Sequence, residues 1–411
     1  MSQGSIYRVE GVEFDGAGWL YNGLFIQQSE DPAGYVTGGG DADIVHADGV
    51  WSLLDNVFGV TIATATGPAD ADLATLNWIL TTDAEQFGYD TTAMEVTKVD
   101  VAISEPQELQ AIGSSLYTRA ADYIQVNDID MDVAGYNEGE GFDPIGKDGA
   151  PGRFVGSYNG QNYTIKNLFI DRPSTNNVAL FGALQDGFHL RKIRVVNANI
   201  TAGQITGSLA GNVGRGTIER CSATGDISGT LATGGLIGGL GNEAVVLHCY
   251  ANVNVTGRDG GWHGGFVGGN RGKIYDCYAR GNVNGTSHVG GFAGHNDKFG
   301  DVEGTPAIYR SYATGQVEGT ENVGRFAGSR SDHAQEVDEH NYWVSDDAGS
   351  VSAMGSRLST ADAKDPDNYL TWNFRRLWDI DPAANDGFPF LNPRKTLSGY
   401  KGLYLSLYRK R

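Results

Sequence analysis

The sequence is poor in charged residues and in several residue types that mark common protein classes. Of its 411 residues, 19% are Asp, Glu, Lys or Arg, and only three are cysteine. An odd cysteine count without an export signal excludes a disulfide framework. No stretch approaches the roughly 18 apolar residues of a membrane helix, so we expect no membrane insertion. Thirty basic residues against 50 acidic ones give a net charge of −20, which would repel phosphate backbones and predicts no nucleic-acid partner.

Glycine, in contrast, is abundant. The chain holds 60 glycines, and they follow no G-x-y period, which excludes collagen. An apolar content of 40% argues against a disordered chain. The length allows one large domain or two to three ordinary ones.

Charge and turn patterns divide the chain into segments. Residues 1–100 hold two basic and 16 acidic residues, whereas the chain from Arg394 onward holds six basic residues and no acidic one. Short alternating stretches with Asn-Gly and Asp-Gly turns in the first hundred residues are typical of antiparallel strands. We therefore predict a small acidic antiparallel β module at 1–97 for attachment or binding, a parallel β-helix at 98–345, an aromatic capping segment at 346–393, and a basic strand or tail at 394–411.

The middle of the chain is repetitive. Glycine-rich segments of one kind recur at 206–212, 234–239, 264–270, 290–296 and 324–328. In a second signature, a β-branched residue is followed three positions later by a cysteine or a serine. Two isoleucines further upstream are assigned to the position, or slot, of the β-branched residue. The slot advances by 28, 25, 28, 28 and 34 residues through the series Ile165, Ile193, Ile218, Val246, Ile274 and Ile308.

This period predicts the fold class. Each unit contains short β-prone stretches and no helix-period stripe, which fits one coil of a parallel β-helix with strands stacked about 4.8 Å apart. We therefore expect an all-β chain: a right-handed parallel β-helix preceded by a small antiparallel domain. Equivalent residues of successive coils should form ladders inside it. The predicted core ladder includes the six residues above together with Cys221, Cys249 and Cys277, interpreted as small buried residues rather than as metal ligands or disulfides.

The repeat is similar to a known family. The segment Gly264-Gly265-Phe266-Val267-Gly268-Gly269-Asn270, followed by Ile274-Tyr275-Asp276-Cys277, resembles the GLUG repeat. Residues 128–132, 144–146 and 154–165 resemble the segment that leads into such helices, and 341–343, 372–378 and 387–391 resemble the one that closes them. The resemblance covers roughly Val101 to Leu391. It implies a β-helical stem like those of bacterial surface adhesins and of IgA-cleaving proteases, where the repeat is a scaffold.

No pattern indicates an enzyme. Asp128, Asp130 and Asp132 alternate along a strand, where they could bind Ca²⁺ or supply an acid and a base, but a first-strand signature is the favoured interpretation. The acids and histidines between 332 and 340 lack the H-E-x-x-H spacing of a zinc site and are interpreted as a solvated loop. We expect no catalytic residue, no metal and no cofactor. A polysaccharide depolymerase with acids contributed by different coils stays open as an alternative.

Binding is the predicted role. Polar and aromatic residues at glycine-rich corners could form a sugar-binding strip: Trp262, His263, His288, His295, Asn296 and Arg325. The amino terminus lacks the basic start and apolar stretch of a secretory signal, so we expect that the chain either stays inside the cell that made it or leaves by another route, such as virion assembly. The leading hypothesis is a virion tail spike that recognises a host-surface glycan, attaches to other tail proteins through its amino-terminal module and forms a homotrimer. A bacterial surface adhesin is the alternative.

Overall fold

The structure is a computed structural model, and it describes most of the chain. Residues 100–114, 118–149, 152–297, 306–331 and 340–393 are described in full. Between residues 6 and 99 it describes the strands given below and residues 76–82, with side chains at 50–54, 61–66 and 76–82. The predicted basic strand or tail at 394–411 lies outside the described residues.

The amino-terminal strands are antiparallel, as the turn pattern predicts. They form a four-stranded sheet in the order Glu95–Val99, Ile6–Glu10, Leu24–Gln27 and Val36–Thr37; a three-stranded sheet of Tyr89–Asp90, Val12–Phe14 and Trp19–Tyr21; and a four-stranded sheet of Ala42–Ala47, Val50–Asp55, Val60–Thr66 and Ile79–Leu80. In the third sheet Trp51 and Leu53 are buried, as are their partners Ala65 and Ala63 on the next strand. Their alternation along the strands gives the sheet one apolar face.

The rest of the described chain is dominated by a parallel β-solenoid with four sheets. Sheet 1 contains Val101–Ile103, Asp122–Gln125, Ser157–Asn159, Phe188–Arg191, Gly216–Glu219, Val245–Leu247, Lys273–Tyr275 and Ala307–Tyr309. Sheet 2 contains Ile129–Asp130, Thr164–Lys166, Phe169–Arg172, Arg194–Ala202, Ser222–Gly229, Tyr250–Gly257, Tyr278–Ala279, Val283–Asn284, Tyr312–Ala313, Val317–Glu318, Tyr342–Val344 and Ser356–Leu358. Sheet 3 contains Ala232–Gly234, Trp262–Gly264, Ser287–Gly290 and Glu321–Gly324. Sheet 4 contains Phe181–Leu184, Ala210–Val213, Ile237–Leu240, Val267–Asn270, Ala293–Asn296 and Ala327–Arg330.

The six strands of sheet 4 mark six coils, and the last four of these visit the sheets in the order 1, 2, 3 and 4. In the first two, isolated bridges at Val178 and Thr206 take the place of a sheet 3 strand. The corner after each of the last five strands of sheet 1 carries a non-glycine residue in the left-handed region, with φ between 47° and 55°, at Lys192, Arg220, His248, Asp276 and Arg310. Such a φ is uncommon outside glycine. Its recurrence in these five corners fixes the direction in which the chain enters sheet 2.

The ladder along sheet 1 contains four of the six residues that the sequence predicts for it, together with a tyrosine and a leucine. Ile218, Val246, Ile274 and Ile308 pair in register along sheet 1 and are fully buried, preceded in the same ladder by Tyr158 and Leu190. The assignment of Ile165 and Ile193 to it is wrong. Ile165 pairs with Val195 in sheet 2, and Ile193 lies three residues after Leu190, in the slot that cysteine takes in later coils. Both are nevertheless fully buried.

The Gly-Gly-Phe signature forms the corner between sheets 3 and 4. Phe266, Phe292 and Phe326 stack inside it with ring centroids 4.7 and 4.9 Å apart and are fully buried. A Cβ at Gly265 would collide with the backbone carbonyl oxygen of Gly291 in the next coil, so this position requires glycine.

The cysteines are buried free thiols that complete the backbone hydrogen bonds of a corner. The Sγ atoms of Cys249 and Cys277 accept the backbone N–H groups of Cys221 and Cys249 at 3.2 and 3.3 Å, and Ser311 Oγ accepts that of Cys277 at 3.2 Å. Each group also donates to a carbonyl two residues earlier, as Cys249 does to Leu247 at 3.1 Å. Burial raises the pKa of the Cys221 and Cys249 thiols, so they stay protonated donors.

A substitution series at Cys249 tests this role. Cys249→Ala should lower the free energy of unfolding by about 1–3 kcal/mol, because it leaves the buried N–H of Cys221 without an acceptor. Cys249→Ser keeps a donor and an acceptor, as Ser311 does two coils later, and should cost less than Cys249→Ala. Urea denaturation measures both, and a serine variant less stable than the alanine variant would contradict a hydrogen-bonding role.

The aromatic carboxyl-terminal segment packs on the flank of the solenoid. Tyr278, Tyr312 and Tyr342 lie on successive strands of sheet 2, and residues 363–388 cover them with Ala363, Tyr369, Trp372, Leu377, Trp378 and Phe388. Trp378–Asp379 pairs with Phe390–Leu391 in a short antiparallel ribbon, and the segment contains the 3₁₀ turns Asp362–Lys364, Pro366–Asn368 and Asn385–Gly387. The segment predicted to cap the solenoid thus packs against the side of three successive coils.

A short helix lies at the amino-terminal end of the solenoid. The α-helix Pro106–Ala111 buries Leu109, and the 3₁₀ turn Thr118–Ala120 follows it. The backbone N–H and hydroxyl of Ser104 both donate to Glu108, at 2.7 and 2.9 Å, which fixes the start of the helix. Among the residues that the structure describes, no helix is long and apolar enough to span a membrane.

Candidate functional site

Three of the predicted sugar-binding residues lie together on the outer surface where sheets 3 and 4 meet. The indole ring of Trp262 stacks on the imidazole of His295 with centroids 5.1 Å apart, and His288 meets His295 edge-on at 5.9 Å. All three side chains are partly exposed. We call Trp262, His288 and His295 the Trp–His strip.

Hydrogen-bonding groups surround the strip. His295 Nδ1 lies 2.7 Å from Ser329 Oγ, and its Nε2 lies 3.4 Å from an Asp297 carboxylate oxygen. His288 Nδ1 lies 3.2 Å from Ser287 Oγ, and the Asn322 amide lies 3.4 Å from its Nε2. Partial burial, and then His295, lower the pKa of His288. This imidazole is therefore neutral near pH 7 and can both donate and accept hydrogen bonds.

The other three predicted residues do not join the strip. His263 and Asn296 follow Trp262 and His295 on their strands, so they point to the opposite face and are fully buried. His263 Nε2 donates to the Asp259 carbonyl at 2.9 Å, and Asn296 accepts from Asn270 at 2.7 Å inside the solenoid. Arg325 occupies the Gly-Gly-Phe corner and donates to Gln316 at 3.0 Å. The prediction of His263 and Asn296 as exposed ligand-binding residues is wrong.

Comparisons with known proteins give a partial sequence match. The chain is similar to Halomucin of Haloquadratum walsbyi (strain DSM 16790 / HBSQ001). The two are 36% identical over 156 residues, which is 36% of this chain and 2% of that protein. A solved structure of an IgA1 Protease aligns with 88% of this chain and 31% of its own, at 13% identity and a TM-score of 0.40. No family model matches the chain, which spans only a small part of both similar proteins.

A second surface feature, which the sequence patterns did not reveal, is a polar cleft of about 630 Å³ near the first coils. We call it the polar cleft, and its lining residues are Asp143, Pro144, Lys147, Asp148, Arg172, Thr175, Asn176, Asn177, Gln204, Ile205 and Asn212. These residues come from separate segments of chain with no shared motif. The stacking of successive coils brings them together.

Charges in the polar cleft compensate one another. Arg172 lies 2.8 Å from a carboxylate oxygen of Glu140, and Lys147 pairs with Asp143. Asp148 accepts from Arg153 at 2.7 Å and from the Asn177 amide at 2.6 Å. The cleft therefore presents amide and hydroxyl groups, and the charged side chains above are paired with groups of opposite sign.

The alternating aspartates hold the first turn of sheet 2 together. Asp128 accepts the Thr164 backbone N–H at 2.8 Å, and Asp130 accepts from Asn167 at 2.8 Å. Hydrogen bonds from the backbone of Thr164 and Asp132 hold the pKa values of Asp128 and Asp130 below the usual range. No group of three His, Cys, Asp or Glu side chains in the described ranges is arranged to hold a metal ion, and residues 332–339 lie outside those ranges.

Proposed function

We propose that the chain is a surface protein whose solenoid binds a glycan, and that the Trp–His strip is a contact site. The observation that carries this proposal is the partly exposed stack of Trp262 on His295, bordered by Asn322 and Ser329. An indole ring offers a flat apolar face to the C–H side of a sugar, while imidazole, amide and hydroxyl groups at its edge bind sugar hydroxyls. The rigid ladder beneath the strip keeps these groups in place without a ligand.

The location that we propose is the cell surface or the extracellular space. The similarity to Halomucin supports the surface-adhesin alternative. Antibody labelling of intact source cells, compared with labelling of purified particles from the same culture, tests this location. Labelling of the particles alone would overturn it in favour of the tail spike.

The binding role predicts a large effect of one aromatic substitution. Trp262→Ala should weaken glycan binding by roughly tenfold or more, since a stacked aromatic contact contributes about 0.5–1.5 kcal/mol beyond its buried area. Calorimetry with a panel of neutral glycans (cello-, chito-, manno- and laminari-oligosaccharides) measures it.

The matched control is Tyr163→Ala, which removes another exposed aromatic ring, 38% exposed, away from the strip. It should leave affinity unchanged. Absence of binding to every glycan of the panel would contradict the proposed function, and release of new reducing ends from a bound glycan would contradict a role limited to binding.

A further inference from the structure

The Trp–His strip and the polar cleft lie on the same two side-chain columns. Along sheet 3, the pairings Val178–Thr206–Thr233–His263–Val289–Val323 fix the register of six coils. The residue before each of these lies in one neighbouring column, which contains Asn177, Ile205, Ala232, Trp262, His288 and Asn322. The first two line the polar cleft, and Trp262 and His288 belong to the strip.

A second column runs beside the first along sheet 4. Its pairings are Asn212 with Gly239, Gly239 with Gly269, Gly269 with His295, and His295 with Ser329. The two columns touch repeatedly: a Cβ at Gly239 would lie 3.4 Å from Ile205 Cγ2, one at Gly269 would lie 2.9 Å from the Trp262 ring, and His295 stacks on Trp262. Asn212 lines the polar cleft.

Glycines occupy the middle of the second column. Gly239 and Gly269 separate Asn212 from His295, so no side chain of this column rises between the cleft and the strip. In the first column this stretch is occupied by Ala232, which is small and buried. Gly239 is partly exposed between the cleft and the strip, while the Trp262 ring lies against the buried Gly269. We call the surface that the two columns form along the solenoid axis the furrow. At about 4.8 Å per coil, the five steps from Asn177 to Asn322 span roughly 24 Å.

We infer that this furrow binds one linear, neutral polysaccharide chain lengthwise, with the strip and the polar cleft at its two ends. This inference rests on the proposed function and adds the class and the orientation of the ligand. The coil spacing is close to the advance of one pyranose unit in an extended chain, so each unit meets equivalent groups of successive coils. Amides and hydroxyls at Asn176, Gln204, Asn212, Asn322 and Ser329 match hydroxyl groups.

Charge argues for a neutral chain. The protein carries a net charge of −20, which repels uronate and sulfate groups. The cations of the cleft do not offset this, because Arg172 and Lys147 are each paired with a carboxylate. Polygalacturonate and hyaluronan oligomers are therefore expected not to bind.

The test compares affinity with chain length. For the neutral glycan of the panel that binds most tightly, the dissociation constant should fall at least tenfold from the disaccharide to the hexasaccharide. Gly239→Leu places a side chain in the middle of the furrow and should reduce hexasaccharide affinity to that of a di- or trisaccharide, while disaccharide binding at the strip stays within twofold. Gly349→Leu, at an exposed glycine whose added Cβ would meet only the Asp347 carboxylate at 3.4 Å, is the matched control.

A second variant covers the case in which Gly239→Leu does not fold. Gln204→Ala removes an exposed amide at the cleft end and should weaken only the longer oligosaccharides, by about threefold or more. Affinity that stops rising beyond the disaccharide, or a hexasaccharide that binds both variants like the wild type, would overturn the furrow while leaving the proposed function in place. Absence of binding at every length overturns both.

Discussion

Phe292→Ala is expected to lower the free energy of unfolding by about 3–5 kcal/mol, one of the largest losses that a single substitution can cause in this chain. The ring is fully buried and stacked between Phe266 and Phe326, at 4.7 and 4.9 Å. Because it is held from both sides, removing it leaves a cavity and also ends two aromatic contacts. Urea denaturation followed by circular dichroism measures the loss.

Two further variants calibrate this result. Phe292→Leu keeps most of the buried volume and should cost less than the alanine variant. Leu370→Ala, at a side chain that is 63% exposed, should change stability by less than about 0.5 kcal/mol. A loss below 1 kcal/mol for Phe292→Ala would contradict a packed interior in which the phenylalanines stack.

Asp276→Ala should cost a similar amount for an electrostatic reason. This carboxylate is 2% exposed and accepts hydrogen bonds from the Arg310 guanidinium at 2.7 and 2.8 Å and from the Trp378 indole N–H at 3.2 Å. Removing it breaks the ion pair with the Arg310 guanidinium from one side, and breaking a buried ion pair in this way typically costs about 3–5 kcal/mol. Alanine is also disfavoured at the φ of 53° found here.

A double-mutant cycle separates these contributions. Asp276→Asn tolerates the left-handed backbone and keeps an acceptor, so it should cost less than alanine. The double variant Asp276→Ala with Arg310→Ala should be less destabilised than the sum of the single variants, because both charges are then absent. Additive losses would show that Asp276 and Arg310 do not stabilise each other.

The repeat period allowed the fold to be predicted, but the register of the first coils was not predictable from isoleucine positions alone. Val195 lies five positions after Leu190 and Ala223 five positions after Ile218, whereas Ile165 lies seven positions after Tyr158. The longer turn contains Gln161 and Asn162, both with left-handed backbones. It moves Ile165 into sheet 2, and a tyrosine takes the place that the pattern reserved for a β-branched residue.

The candidate site was predictable in part. Of the six predicted residues, Trp262, His288 and His295 are partly exposed, and they lie on strands next to the glycine-rich corners. Strand alternation would have excluded His263 and Asn296 from the predicted binding residues, because neighbouring side chains on a strand point to opposite faces. The polar cleft has no motif, since its residues come from coils with different turn lengths. Only the observed pairing shows that Asn177 and Trp262 share a column.

A structure of the protein with a bound neutral hexasaccharide would test the proposed binding mode most directly. The account predicts sugar rings in a row along the solenoid axis, one ring near Trp262 and His295 and the far end near Gln204 and Asn212. Sugar rings that cross the axis, or that lie on sheet 1 or against the amino-terminal strands, would contradict it.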